Sequence, residues 1–145
     1  MPTISTSVTI DAAPADVRAV LADLTATRLW LPGVVEARMD GDVRICRMAD
    51  GQEVHERILE TSGDRLRFQH VQVALPVRES GGTFTVEPTD QGRSTVVLEV
   101  TFEPLDPAFG DQLTAGIHDA FGQSLRSLRT YVEEKTAWDA RGPAT

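Results

Sequence analysis

Residues Asp106 to Val132 read Asp-Pro-Ala-Phe-Gly-Asp-Gln-Leu-Thr-Ala-Gly-Ile-His-Asp-Ala-Phe-Gly-Gln-Ser-Leu-Arg-Ser-Leu-Arg-Thr-Tyr-Val. Within them Phe109, Leu113, Ile117, Phe121, Leu125, Leu128 and Val132 recur four, four, four, four, three and four positions apart. That spacing draws one apolar stripe down a long helix. At about 1.5 Å of rise per residue the stripe is roughly 35 Å long, the width of a small domain. Gly110, Gly116 and Gly122 interrupt it, each at about 1 kcal/mol relative to alanine in a helix interior. A frayed first turn and close packing on a sheet is the simpler explanation. Space left beside the helix for a ligand is the other.

Upstream of this helix the chain is written in short strands. Ile4, Thr6, Val8 and Ile10 alternate with polar residues over 3–10, a strand pattern. Asp11-Ala-Ala-Pro14 opens a helix, with proline at an early position where its missing N–H costs nothing. Val17, Val20, Leu21 and Leu24 form its buried stripe. A short second helix is expected over 27–33, ending at Pro32-Gly33. Asp40-Gly41, Asp50-Gly51, Ser62-Gly63-Asp64, Gly81-Gly82 and Asp90-Gln91-Gly92 then punctuate runs of hairpin length. The expected strands lie near 34–39, 43–49, 53–61, 65–73, 83–88 and 94–104. Short connections make them an antiparallel meander.

A strand, two helices, a meander and a long amphipathic helix pack in one natural way. The curved antiparallel sheet wraps the last helix, and an internal cavity opens between them. This α+β order resembles the helix-grip fold of the Bet v 1-like, START-related superfamily over nearly the whole chain. The expected organisation is one domain over 1–138 and a flexible tail over 139–145.

Composition narrows the partners. The chain has 145 residues, 41% hydrophobic and 25% charged, as in an ordinary globular protein. Asp and Glu number 22 against 14 Lys and Arg, a net charge of −8. Without a basic run, neither nucleic acid nor an anionic membrane surface is an expected partner. Lys135 is the sole lysine, an arginine bias that fits a GC-rich bacterial genome. Cys46 is the sole cysteine, so internal disulfides and multi-cysteine zinc sites are excluded. Residues 1–7 lack a basic start and an apolar stretch, and no apolar run reaches membrane length, so a cytoplasmic protein is expected.

The turns set the registers. If Gly63-Asp64 is a two-residue turn, Glu60 faces Arg67 on the outer face. On the inner face Leu59 then meets Phe68, Thr61 meets Leu66, Arg57 meets His70, and His55 meets Gln72. The Asp50-Gly51 turn sets Cys46 opposite His55 and Arg44 opposite Arg57. Phe84, Val86, Val96, Leu98, Val100 and Phe102 make the apolar inner surface of the late strands. Alternation fails at bulges, and Arg57 would then point outward toward Glu56 or Glu99. Val43, Ile45, Val54 and Ile58 fall on the outer face, a surface that could pair two copies into a homodimer unless the register is off by one.

An arginine and two histidines beside leucine and phenylalanine describe a mixed cavity for a small hydrophobic or aromatic molecule. Trp30, Cys46, His55, Leu59, Phe68, Phe84, Leu113, Ile117 and Phe121 are its expected lining. His55, His70 and His118 share no short ligand spacing, so neither a metal nor a cofactor is expected. Cys46 opposite His55 admits a thiolate pair, but a lone buried cysteine is usually inert packing.

The stretch Val54-His-Glu-Arg57-Ile-Leu-Glu-Thr-Ser-Gly-Asp-Arg-Leu-Arg-Phe-Gln-His70-Val71 resembles the central hairpin of aromatic polyketide aromatase/cyclases. Phe102-Glu-Pro-Leu-Asp-Pro-Ala-Phe109 is similar to that family's strand-to-helix junction, and Asp23-Leu-Thr-Ala-Thr-Arg-Leu-Trp30 to its early helix and tryptophan. The resemblance implies a pocket arginine at Arg57 that takes part in polyketide cyclisation or dehydration. A guanidinium there would hold a developing enolate or alkoxide oxygen, and His70 would move protons. It also implies a pocket tyrosine soon after the tryptophan. Trp30-Leu-Pro-Gly-Val-Val-Glu-Ala-Arg38 has none, and the sole tyrosine is Tyr131. The same cavity would serve a non-catalytic carrier of a lipid or quinone. It would be vestigial in a protein-interaction domain.

Overall fold

The computed structural model describes residues 2–141. Strand β1 (Thr3–Ile10) leads into helix α1 (Pro14–Ala22) and a 3-10 turn over Leu24–Leu29. Strands β2 (Val34–Asp40), β3 (Val43–Met48), β4 (Glu53–Glu60), β5 (Arg65–Gln72), β6 (Val77–Pro88) and β7 (Ser94–Pro104) follow. A single 3-10 turn over Pro107–Phe109 opens α2 (Gly110–Arg141). All seven strands form one antiparallel sheet in the order β1-β7-β6-β5-β4-β3-β2. This is the expected helix-grip arrangement.

The core lies between the concave face of the sheet and the two helices. Val17, Val20 and Leu21 of α1, Leu125, Leu128 and Val132 of α2, and Val86, Val96, Leu98, Val100 and Phe102 of the sheet are buried together. The α2 backbone runs close to β1 and β7, while α1 approaches β5 and β6. Polar ties fix the closed end. The Ser94 hydroxyl donates to the Ala12 carbonyl at 2.7 Å, and the Asp11 N–H donates to the Glu133 carboxylate at 2.8 Å. The Ser127 hydroxyl donates to the Trp30 carbonyl, tying α2 to the segment after the first 3-10 turn.

Several elements depart from the sequence reading. Phe109 sits in the 3-10 turn before α2 and is 56% exposed, so the stripe that packs on the core begins at the partly buried Leu113. The expected second helix is the 3-10 turn Leu24–Leu29, ending earlier than Gly33. Gly81-Gly82 is not a turn, because β6 begins at Val77 and runs through both glycines. A Cβ on Gly81 would lie 2.7 Å from the Phe68 carbonyl oxygen, and one on Gly82 would lie 2.8 Å from the Phe68 ring. Close approach to β5, not chain reversal, requires glycine there. Helix α2 includes 139–141 of the expected tail, and 142–145 lie outside the described residues.

Candidate site at the open end of the grip

Two local events decide which side chains of β4 face inward. The β3–β4 connection is the three-residue turn Ala49-Asp50-Gly51, closed by the Met48 N–H on the Gln52 carbonyl at 2.8 Å, with Gly51 at φ 87°. Such a turn ends in a left-handed residue, which glycine adopts without strain. It pairs Cys46 with Val54 and Arg44 with Glu56, one position away from a two-residue turn. At the other end of β4 the expected Glu60–Arg67 pair forms, but a bulge at Leu59 sets Ile58 opposite Phe68 and Glu56 opposite His70, and a second register shift between Glu56 and His55 restores the expected His55–Gln72 pair. One extra residue in a strand reverses the face of every residue beyond it.

Arg57, His55 and Leu59 therefore do not line the interior. Arg57 pairs across the strands with Val43 and Gln69, is nearly half exposed, and lies 3.5 Å from the Asp42 carboxylate. His55 meets Glu53 at 3.0 Å on the same outer face. Leu59 is the bulged residue and is 46% exposed. Val54 and Ile58, expected outside, take the inner positions, and Ile58 packs on the core. Cys46 is inward as expected, but on the opposite face from His55.

The inward positions hold a buried polar cluster in which Arg44 and His70 keep the inward places expected of them and Glu56 stands in the place expected of Arg57. Arg44 is 3% exposed and Glu56 6%, and the Arg44 Nε–H donates to Glu56 Oε1 at 3.1 Å. Arg44 also donates to the Thr27 hydroxyl at 3.1 Å and to the Leu24 carbonyl at 3.4 Å, so the 3-10 turn closes over it. The second carboxylate oxygen of Glu56 faces His70 Nε2 at 3.8 Å. His70 Nδ1 and Ser80 Oγ share a hydrogen bond of 2.6 Å. A carboxylate on the Nε2 side favours a proton there, leaving Nδ1 to accept from the Ser80 hydroxyl.

Burial holds the His70 imidazole below its ordinary basicity, with Glu56 opposing and Arg44 reinforcing the effect. The Cys46 thiol is pushed up to about 11, first by burial and then by the adjacent Glu56. A thiol so protonated is a poor nucleophile, so Cys46 is packing. At neutral pH the cluster offers a neutral imidazole and a hydroxyl, backed by a closed ion pair.

Packing is uneven along α2. Leu125, Leu128 and Val132, from the middle of α2 onward, are sealed, whereas Leu113 and Phe121 nearer its start keep accessible surface. Over 110–121 Ile117 is the buried residue. Leu31, Ile58, Leu75 and Val77 are likewise partly open and packed on the core. Below them Phe68 meets His70 edge-on at 5.3 Å and Phe84 at 6.0 Å, and Phe84 meets Trp30 edge-on at 6.0 Å. Trp30, Phe68, Phe84, Leu113, Ile117, Phe121 and His70 thus belong to the interior. A separate trough of about 380 Å³ crosses the outer face over Gly81, but Arg67, Glu79 and Glu99 line it, which suits no apolar molecule. Among the described residues no cluster of His, Cys, Asp and Glu suits a metal ion, and no helix is long and apolar enough to cross a membrane.

A family model described as polyketide cyclase/dehydrase and lipid transport matches residues 1–133. No curated protein matches. Among solved structures, a protein from Thermobifida fusca is 26% identical with a TM-score of 0.78, over 92% of this chain and 95% of that one. The Zhui aromatase/cyclase from a Streptomyces species is 17% identical with a TM-score of 0.78, over 98% and 99%. A START superfamily protein from Mycobacterium smegmatis is 13% identical with a TM-score of 0.72, over 93% and 97%.

Proposed function

The chain belongs to the polyketide cyclase/dehydrase and lipid transport family, and from that premise we propose that it holds a small hydrophobic or aromatic molecule between the first half of α2 and the concave sheet. The observation that carries this reading is the change in packing along α2. The helix is sealed at Leu125, Leu128 and Val132, and open at Leu113 and Phe121. An apolar lining with one convergent group of polar side chains is what a small-molecule site requires. Aromatic rings of Phe68, Phe84 and Trp30 form the floor, and His70 with Ser80 meets the polar end of the ligand.

His70 is the proton-transfer group of this reading. The basic nitrogen of the neutral ring is Nδ1, which accepts from Ser80, so a proton from carbon or oxygen next to a ligand carbonyl would pass to the Ser80 oxygen as the hydroxyl gives its own proton to Nδ1, and return the same way. Arg57, turned toward Asp42 on the outer face, has no part in it. The carrier reading rests on Arg44. Two of its three nitrogens are held by Glu56, Thr27 and Leu24, so its charge is balanced within the protein rather than offered to an enolate. The two readings share the ligand and differ in its fate.

Native mass spectrometry of protein purified gently from its own host, followed by accurate-mass analysis of released molecules, tests the site. A bound apolar molecule is expected at one per chain. An empty protein that also fails to bind polyketides, quinones and fatty acids would overturn the proposal. Turnover lost in His70→Gln with ligand binding retained would separate the enzyme from the carrier.

A further inference from the structure

We infer that the interior selects uncharged ligands and rejects carboxylates of the same size, and that Glu56 is the residue that sets this preference by occupying Arg44. The inference rests on the ligand site proposed above and adds the charge class of what enters it.

Among the described residues, the charged side chains buried in the molecule are Arg44 and Glu56. Arg44 is the cation a carboxylate would seek, and two of its three nitrogens are already engaged. Its Nε–H is on Glu56, and one terminal nitrogen is on both the Thr27 hydroxyl and the Leu24 carbonyl. The salt bridge closes the charge balance, so an incoming carboxylate would meet Glu56 as a like charge beside the cation. His70 adds no compensating charge, because burial disfavours its protonated form. Cys46 adds no negative charge, because its thiol stays protonated. What remains for a ligand is the His70 Nε2–H, 3.8 Å from the Glu56 carboxylate, and the free lone pair of the Ser80 oxygen, which suits a ketone, quinone or phenol. Moving a carboxylate from water to such a wall without a partner is heavily disfavoured.

Three further arginines on β2, β3 and β4 do not change this. Arg57 lies against Asp42, Arg38 against Glu53, and Arg47 against Glu36, each with its side chain about half exposed. None of these side chains is buried in the interior.

The test is displacement of the uncharged fluorescent probe N-phenylnaphthylamine at neutral pH by two ligands of one shape, acetylnaphthalene and naphthoate. The ketone is expected to bind at least about tenfold more tightly than the carboxylate. In Glu56→Gln, which keeps the shape and frees the cation, the preference should shrink by about tenfold or reverse. Naphthoate binding to the native protein as tightly as the ketone would overturn the inference while leaving the ligand site standing. Binding of neither ligand, with no probe uptake, would overturn the site itself and this inference with it. If Glu56→Gln fails to fold, the native protein's preference decides alone.

Discussion

The Arg44 guanidinium and the Glu56 carboxylate meet at 3.1 Å, both almost fully buried, on adjacent strands. Removing one partner of such a pair leaves an uncompensated buried charge, at about 3–5 kcal/mol. Glu56→Ala and Arg44→Ala should each lower the unfolding free energy by that amount in chemical denaturation. The double variant Arg44→Met with Glu56→Leu should recover most of the loss. Single variants within about 0.5 kcal/mol of the native protein would show that the pair is not closed in solution.

Arg57 gives the opposite expectation. Its ion pair with Asp42 spans 3.5 Å on the exposed outer face, where such pairs contribute about 0–1 kcal/mol. Arg57→Ala should leave ligand affinity unchanged and stability nearly so. A loss of affinity beyond about tenfold would return Arg57 to the interior and undo the register described above.

Those two arginines mark the boundary of what the sequence discloses. Strand order, the long helix and the inner surface from Phe84 to Phe102 follow from period-two and helical spacing, because burial repeats with the backbone. The Glu60–Arg67 pair was also legible, from the turn at Gly63. The inward side of β4 was not. Its facing depends on whether the turn at Asp50-Gly51 contains two residues or three, and on the register shifts against β5, one at Leu59 and one between His55 and Glu56. None of these leaves a trace in alternation, and each moves a strand by one residue. The signal that was available is chemical: Arg44 and Glu56 are a matched pair, whereas the expected Arg44–Arg57 juxtaposition sets like charges face to face.

Stability should depend on the charge of His70. Burial lowers its basicity from the ordinary value of 6.5, so the unfolded chain takes up the proton first as pH falls. Its contribution is therefore complete above 6.5 and is lost as pH falls through that value toward the lower native one. Thermal melts of the native protein and of His70→Gln should diverge in slope across that window, with the variant flatter. Parallel curves would mean that His70 is solvated.

Gly116 is neither left-handed nor packed, and a Cβ there meets nothing within 4 Å. Close packing on the sheet therefore does not explain it. Gly116→Ala should stabilise the protein by up to about 1 kcal/mol with unchanged ligand affinity. Loss of stability would point to a contact at this position in solution. Gly82→Ala should instead destabilise by about 1–3 kcal/mol, since its Cβ would press on the Phe68 ring at 2.8 Å and the Glu99 carbonyl at 3.0 Å. Denaturant midpoints distinguish the two outcomes.

The most direct measurement follows the imidazole resonances of isotope-labelled protein during titration with acetylnaphthalene. The chain has three histidines. His70 lies in the inner wall, His55 is on the outer face, and His118 is on the exposed side of α2. A ligand seated between α2 and the sheet should shift the His70 ring signals to saturation while those of His55 and His118 hold still. Saturable binding that leaves His70 unmoved would contradict the account.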